Sequence, residues 1–97
     1  MIDSYEFGTI VIDGMQYSSD LIIFPDHVKE NWWRRSGHNV LVEDLEEAIA
    51  AKPEIIIIGT GKYGKARVPE KTRRHMESLG LRLIVEGTDR AVSTFNK

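Results

Sequence analysis

The apolar positions change period twice along the chain: they cluster as in strands, then recur every three or four residues as in helices, and then cluster again. Thr9-Ile10-Val11-Ile12 is a β-branched run ending at Asp13-Gly14, a dipeptide that readily takes the positive φ angles of a tight hairpin. Met15 to Tyr17 are therefore predicted to return beside it. A polar break at Ser18-Ser19-Asp20 precedes Leu21-Ile22-Ile23-Phe24, and Pro25-Asp26 punctuates before a weaker extended run from Val28 to Trp33. The first third is expected to be an antiparallel meander.

Helical spacing follows. Leu41 or Val42, then Leu45, Ala48 and Ile49 fall on one face, while Glu43, Asp44, Glu46 and Glu47 crowd the opening turns, where acids suit the positive end of the helix dipole. Lys52-Pro53 should stop this helix, because proline lacks an amide donor and disfavours helical geometry in its predecessor. Ile55-Ile56-Ile57-Ile58 shows no polar alternation, as expected of a strand covered on both faces. Pro69 is predicted to occupy the first position of a second helix, with Thr72, Met76 and Leu79 inward and Gly80 at its C-terminal cap. A strand over Leu81 to Glu86 comes next, and the strand-helix-strand order implies a right-handed parallel crossover. Thr88 or Asp89 then caps a last helix presenting Ala91, Val92 and Phe95. The pattern predicts one α/β domain over residues 1–97, with a mixed sheet of N-terminal antiparallel strands and a central parallel strand-helix-strand unit.

Composition narrows the function. With 41% apolar and 29% charged residues the chain is an ordinary globule, and 97 residues leave room for one domain. The absence of cysteine removes thiol nucleophiles, thiolate metal sites and disulfides, which fits a reducing compartment. The opening MIDSYEFG lacks the basic start and apolar stretch of a secretory signal, so the expected location is the cytoplasm. The longest apolar runs, among them 21–24 and 55–58, are four residues each, too short for a membrane-spanning helix. A formal net charge of −2 gives no overall attraction to nucleic acid.

Two clusters carry candidate chemistry. Gly59-Thr60-Gly61-Lys62-Tyr63-Gly64 is a formal G-x-G-x-x-G after an apolar strand, with Glu86 placed 22 residues beyond Gly64. A dinucleotide site needs the helix to begin inside the glycine segment, so that its amides meet the pyrophosphate; Pro69 begins the helix too late. What remains for Gly59, Thr60, Gly61 and Lys62 is a small anion site in the crevice at the strand's end. It is supported by a local balance of +5 over residues 62–75. The second cluster, Trp32-Trp33-Arg34-Arg35, pairs large rings with guanidinium groups. In an extended segment the two rings point to opposite faces, so at most one joins the core and the other needs cover from the fold or from a partner. Trp33, as anchor, with Arg34 and Arg35 as polar contacts, is the candidate protein-binding surface. His27, His38 and His75 lack helical metal spacing and no G-x-S-x-G is present; no metal ligand, catalytic residue or cofactor is assigned.

The ordered set Phe7-Gly8, Gly14, Tyr17, Asp20, Trp33-Arg34-Arg35, His38, Glu43-Asp44-Leu45-Glu46, Pro53-Glu54-Ile55 through Gly61 and Thr94-Phe95-Asn96 resembles a known family. This is the domain-of-unknown-function family that contains a mitochondrial respiratory complex I assembly factor and the adipogenesis-associated domain protein. The resemblance spans nearly the whole chain, and its most specific pieces are P-E-I-I-I-I-G-T-G and T-F-N. It implies a single α/β domain with a mixed sheet and an unsettled biochemical activity. For one eukaryotic branch it implies a role in assembling a multisubunit membrane enzyme. Family members continue past T-F-N into a last apolar strand that these residues lack, which implies an unpaired edge open to dimerisation or to another chain. Gly87-Thr88-Asp89 also replaces a longer connection, which bears on the geometry near Glu86. The combined expectation is a non-enzymatic accessory or protein-interaction module, with a small-molecule or anion binder acting through residues 59–64 as the alternative.

Overall fold

Asp13 and Gly14 both adopt positive φ, 49° and 83°, and so turn the chain tightly between two strands. The computed structural model, which describes residues 1–35, 37–61 and 64–97, places three antiparallel strands around this turn. They are β1 (Ile2–Glu6), β2 (Thr9–Ile12) and β3 (Met15–Tyr17), with Glu6 opposite Thr9 and Ile12 opposite Met15. Two short strands follow, β4 (Ile22–Ile23) and β5 (Val28–Lys29), also antiparallel. The extended run expected to reach Trp33 ends at Lys29. Asn31 takes φ 54° there, its amide donates to Ser19 Oγ at 3.0 Å, and the Trp32 amide donates to the Asp20 carbonyl at 2.8 Å.

The acidic segment opens as a tight 3₁₀ turn, Val42–Leu45, and continues as α1 (Glu46–Ala50), with Leu45 and Ala48 buried. Lys52 ends it at φ 53°, just before Pro53. Then come β6 (Ile55–Gly59), α2 (Glu70–Ser78), β7 (Arg82–Glu86) and α3 (Thr88–Asn96). Strands β6 and β7 pair in parallel, Ile55 beside Arg82 through Gly59 beside Glu86, as the strand-helix-strand order predicts. The architecture is the α/β class expected, with antiparallel and parallel pairings held in separate ladders among the described residues. Val40, Leu45, Ile58, Val68 and Met76 form the core, and Trp32, Ile49, Ile56, Leu81, Leu83 and Val85 pack against it. Helix α3 lies over β6 and β1, burying Ala91.

Four local expectations are corrected. Ile55 is 44% exposed and only Ile58 of the isoleucine run is fully buried, because a two-stranded ladder leaves its start uncovered. Pro69 sits one position outside α2, in extended geometry. Leu79 is 48% exposed rather than inward, because the chain unwinds there into Gly80 at φ 75°. The Leu81 amide reaches back to the Met76 carbonyl and the Gly80 amide to that of Glu77, at 3.1 and 2.9 Å. This Schellman ending puts Leu81 against the core in the place expected of Leu79. Finally, Gly87 and not Thr88 or Asp89 occupies the cap of α3, which leaves the Thr88 hydroxyl for another role.

Candidate functional site

Segment 32–35 is held from several sides by polar contacts. The Trp32 indole donates Nε1–H to the Asp44 carbonyl at 2.9 Å while its ring packs on the core. The Asp44 carboxylate accepts from the Arg35 amide at 3.3 Å and from the Leu41 amide at 3.0 Å. Arg34 lies over the Trp32 ring, 5.2 Å from its centroid, donates Nε–H to the Gly37 carbonyl at 2.7 Å and pairs with Asp20 at 3.2 Å. Its side chain is only 19% exposed. Trp33 stands between these two anchored neighbours and is 77% exposed, so a large apolar ring is presented from a backbone that its neighbours hold still. Arg35 is exposed beside it.

The glycine segment is organised differently from a phosphate cradle. Among its described residues the amides are donated within the fold: Thr60 to the Glu86 carbonyl at 2.8 Å, Gly61 to Thr88 Oγ1 at 2.8 Å, Gly64 to the Gly61 carbonyl at 3.3 Å and Ala66 to the Thr60 carbonyl at 3.1 Å. The Thr60 hydroxyl also donates to the Glu86 carbonyl, at 3.2 Å. An anion nest needs such amides pointing outward together. Gly61 and Gly64 have φ 92° and 66°, so glycine is required there by backbone geometry. Gly59 is required by space, since a Cβ would lie 2.9 Å from Thr88 Oγ1 and 3.3 Å from Thr88 Cα. The helix after the loop begins at Glu70, as the sequence argument requires. Lys62 lies outside the described residues.

The exits of the two clusters meet. The Arg67 amide donates to the His38 carbonyl at 2.6 Å, and the Val40 amide donates to the Arg67 carbonyl at 2.8 Å, so residues 38–40 run beside 66–68 as a parallel bridge. Buried Thr72 adds a hydrogen bond from its hydroxyl to the Val40 carbonyl at 2.9 Å. An open depression of about 590 Å³ lies along the bridge, lined by His38, Asn39, Gly64, Lys65 and Arg67. Among the described residues no three His, Asp or Glu side chains gather as metal ligands, and no helix is long and apolar enough to cross a membrane.

The model of the family described as "Protein of unknown function (DUF498/DUF598)" matches residues 2–97. The chain belongs to this family. Among solved structures, DUF498/DUF598 residues 1–97 resemble a conserved hypothetical protein, PH1505, from Pyrococcus horikoshii OT3. That likeness has a TM-score of 0.84 at 22% identity, covering 99% of this chain and 86% of that one. They also resemble a protein from Bartonella henselae described as an outer membrane protein, with a TM-score of 0.77 at 25% identity, covering 98% and 80%. The first likeness shows the fold alone.

The T-F-N segment that carries the family resemblance is structural in this DUF498/DUF598 chain. The Thr94 hydroxyl donates to Glu86 Oε1 at 2.6 Å. The Asn96 amide group grips Ile2 from both sides, accepting from its amide at 2.9 Å and donating to its carbonyl at 2.8 Å. Asn96 so does for the first strand what a neighbouring strand would do. Asp44, Thr88 and Asn96 organise the surroundings of both clusters, and the sequence reading, which gave Asp44 only to the helix dipole, Thr88 to a helix cap and Asn96 to a motif, assigned none of them these contacts. For Asp44 the signal was an acid at the third position of a helical turn, where a carboxylate reaches back to a free amide.

Proposed function

We propose that this protein is a non-enzymatic accessory module that binds a protein partner through Trp33. The observation that carries the reading is the exposed indole of Trp33 on a backbone held by Trp32 and Arg34. Interface energy concentrates in tryptophan, tyrosine and arginine anchors, and an anchor already held in place loses little freedom on binding. Arg35 supplies a polar rim contact; Arg34 is committed to Asp20 and Gly37 and acts by holding the loop. The likeness to a family with an assembly-factor branch supports an accessory role, and the expected setting is the cytoplasm. The inward donation of the loop amides weighs against the anion-binding alternative at residues 59–61.

Affinity capture with the unmodified chain and with Trp33→Ala tests the reading, followed by titration of the recovered partner. Removing a central anchor costs about 2 kcal/mol or more, roughly a 30-fold loss of affinity. Equal affinity of the two proteins for every recovered partner would refute it.

A further inference from the structure

The parallel ladder has two outer edges, and the edge of β7 carries a self-complementary sequence. Within the ladder, the Arg82 amide donates to the Glu54 carbonyl at 3.0 Å and the Glu86 carbonyl accepts from the Thr60 amide at 2.8 Å. Backbone direction alternates along a strand, so Arg82, Ile84 and Glu86 aim their N–H and C=O groups at β6, while Leu83 and Val85 aim theirs outward. No third strand takes these up among the described residues. Leu83 and Val85 turn their side chains to the core, which leaves Arg82, Ile84 and Glu86 on the opposite face. Helix α3 covers that face chiefly over β6.

We propose that β7 is a homodimerisation edge, completed by β7 of a second copy running antiparallel about a two-fold axis at Ile84. Laid on itself in this way, Arg82-Leu83-Ile84-Val85-Glu86 puts Arg82 opposite the partner's Glu86, Leu83 opposite the partner's Val85, and Ile84 opposite its own mate. Leu83 and Val85 are the residues with outward backbone groups, so they form the hydrogen-bonded pairs, and Ile84 occupies the non-hydrogen-bonded position. Sliding the strands by two residues sets Arg82 or Glu86 opposite Ile84 and loses the charge match. Glu86 is already ordered for the role: its side chain is 21% exposed, bonded to Thr94 and 3.4 Å from Arg90. Arg82 is exposed, and its guanidinium has no hydrogen-bond or ion-pair partner among the described residues.

The groove beside this edge fits the same occupant. It is an open depression of about 480 Å³ with Leu81 and Leu83 as floor and Glu70, Arg73, Arg74 and Glu77 of α2 along its wall. A wall of both signs favours a partner of both signs, which a second copy is and a nucleic acid is not. The edge of β6, by contrast, is four isoleucines and a glycine and holds no charge to set a register. Pairing about a two-fold axis also closes the assembly at two chains.

The chain contains no cysteine, which permits a direct test. Non-hydrogen-bonded antiparallel partners have Cα atoms about 4.5 Å apart, inside the disulfide range. Mild oxidation of Ile84→Cys is expected to give a covalent dimer at least about tenfold faster than Ser78→Cys, an exposed collisional control. Adding Arg82→Glu, which turns two symmetric attractions into repulsions, is expected to slow it roughly tenfold. In sedimentation velocity up to about 1 mM, the unmodified chain is expected to dimerise with rising concentration and Arg82→Glu to remain monomeric. Cross-linking no faster than the control, faster cross-linking of Ile57→Cys on the β6 edge, or equal association of the unmodified chain and Arg82→Glu would each overturn the proposal. If Ile84→Cys does not fold, the sedimentation comparison decides alone.

Discussion

Replacing Gly59 by alanine separates a packing role for the glycine segment from a ligand-cradling one. The added Cβ would lie 2.9 Å from Thr88 Oγ1, closer than real carbon contacts allow, and 3.3 Å from Thr88 Cα, tighter than most, so the first turn of α3 must move away from β6. That turn carries the acceptor for the Gly61 amide, at 2.8 Å, and its Thr88 amide donates to the Gly61 carbonyl at 3.2 Å, so the shift strains two hydrogen bonds as well as packing. Overpacking of this kind costs about 1–3 kcal/mol. At about 2 kcal/mol the melting temperature falls by roughly 8–16 °C in a domain of this size. Thr88→Ala alone loses the Gly61 bond, about 1–2 kcal/mol, but it also removes the nearest clashing atom. The double variant Gly59→Ala/Thr88→Ala is therefore expected to lose less than the sum of the single losses, by at least about 0.5 kcal/mol, since the 3.3 Å backbone contact persists. Urea unfolding of the four proteins closes the cycle. A Gly59→Ala loss below about 0.5 kcal/mol, or strict additivity, refutes the steric account.

The same reasoning at neighbouring positions gives different signatures. Gly61→Ala meets open space but must hold φ 92°, so a loss of about 1–2 kcal/mol is expected by urea unfolding, unrelieved by trimming Thr88. Asn96→Ala removes both bonds to Ile2 and should cost about 1–3 kcal/mol, with early hydrogen exchange at the Ile2 amide as its local mark. Trp33→Ala should change stability by less than about 0.5 kcal/mol, whereas Trp32→Ala, which loses core packing and the bond to Asp44, should cost about 3 kcal/mol. Asp26 is held below the ordinary carboxylate value, first by its side-chain hydrogen bond with His27 and then by backbone bonding and the imidazole charge. Its folded pKa being lowered, any stability it contributes is present above the unfolded pKa and is lost as pH falls through the folded one. Titration followed by NMR should move the Asp26 carboxyl back toward its ordinary value in His27→Ala, short of it by what the backbone hydrogen bond retains.

The elements legible in the sequence are those with local causes. Asp13-Gly14 turns the hairpin between β2 and β3 because both residues tolerate positive φ, and Gly80 ends α2 for the same reason. The late start of α2 at Glu70 follows from Pro69, and it removes the dinucleotide reading of the glycine segment. The exchange of Leu79 for Leu81 in the core was not legible, because it depends on how the capping turn swings the chain after helical periodicity has ended. For Trp32 and Trp33 the alternation said that one ring goes inward, and only the Asp44 carbonyl, twelve positions away, selects Trp32. Asn96 stood in a recognisable motif while its partner, Ile2, lay 94 positions distant, so its clamp had no local trace. The extended expectation to Trp33 failed at Asn31, whose left-handed backbone is set by the contacts of segment 31–32 with Ser19 and Asp20.

The tryptophan surface and the β7 edge use different residues, and that difference has a measurable consequence. A pair of chains joined along β7 would carry two Trp33 anchors, so a partner offering two copies of its epitope would bind the second one intramolecularly. Such bivalence raises overall affinity by about 10²- to 10⁴-fold when the geometry allows both contacts, and by nothing when it does not. Arg82→Glu separates the two effects, because it breaks the dimer and leaves Trp33 and the Asp44 contacts that position it in place. For a single-site partner the affinity should then be unchanged by Arg82→Glu and reduced about 30-fold by Trp33→Ala. For a two-site partner both substitutions should weaken binding. Loss of single-site affinity in Arg82→Glu would mean that the β7 edge itself contacts the partner, in which case dimerisation and partner binding compete for the same strand.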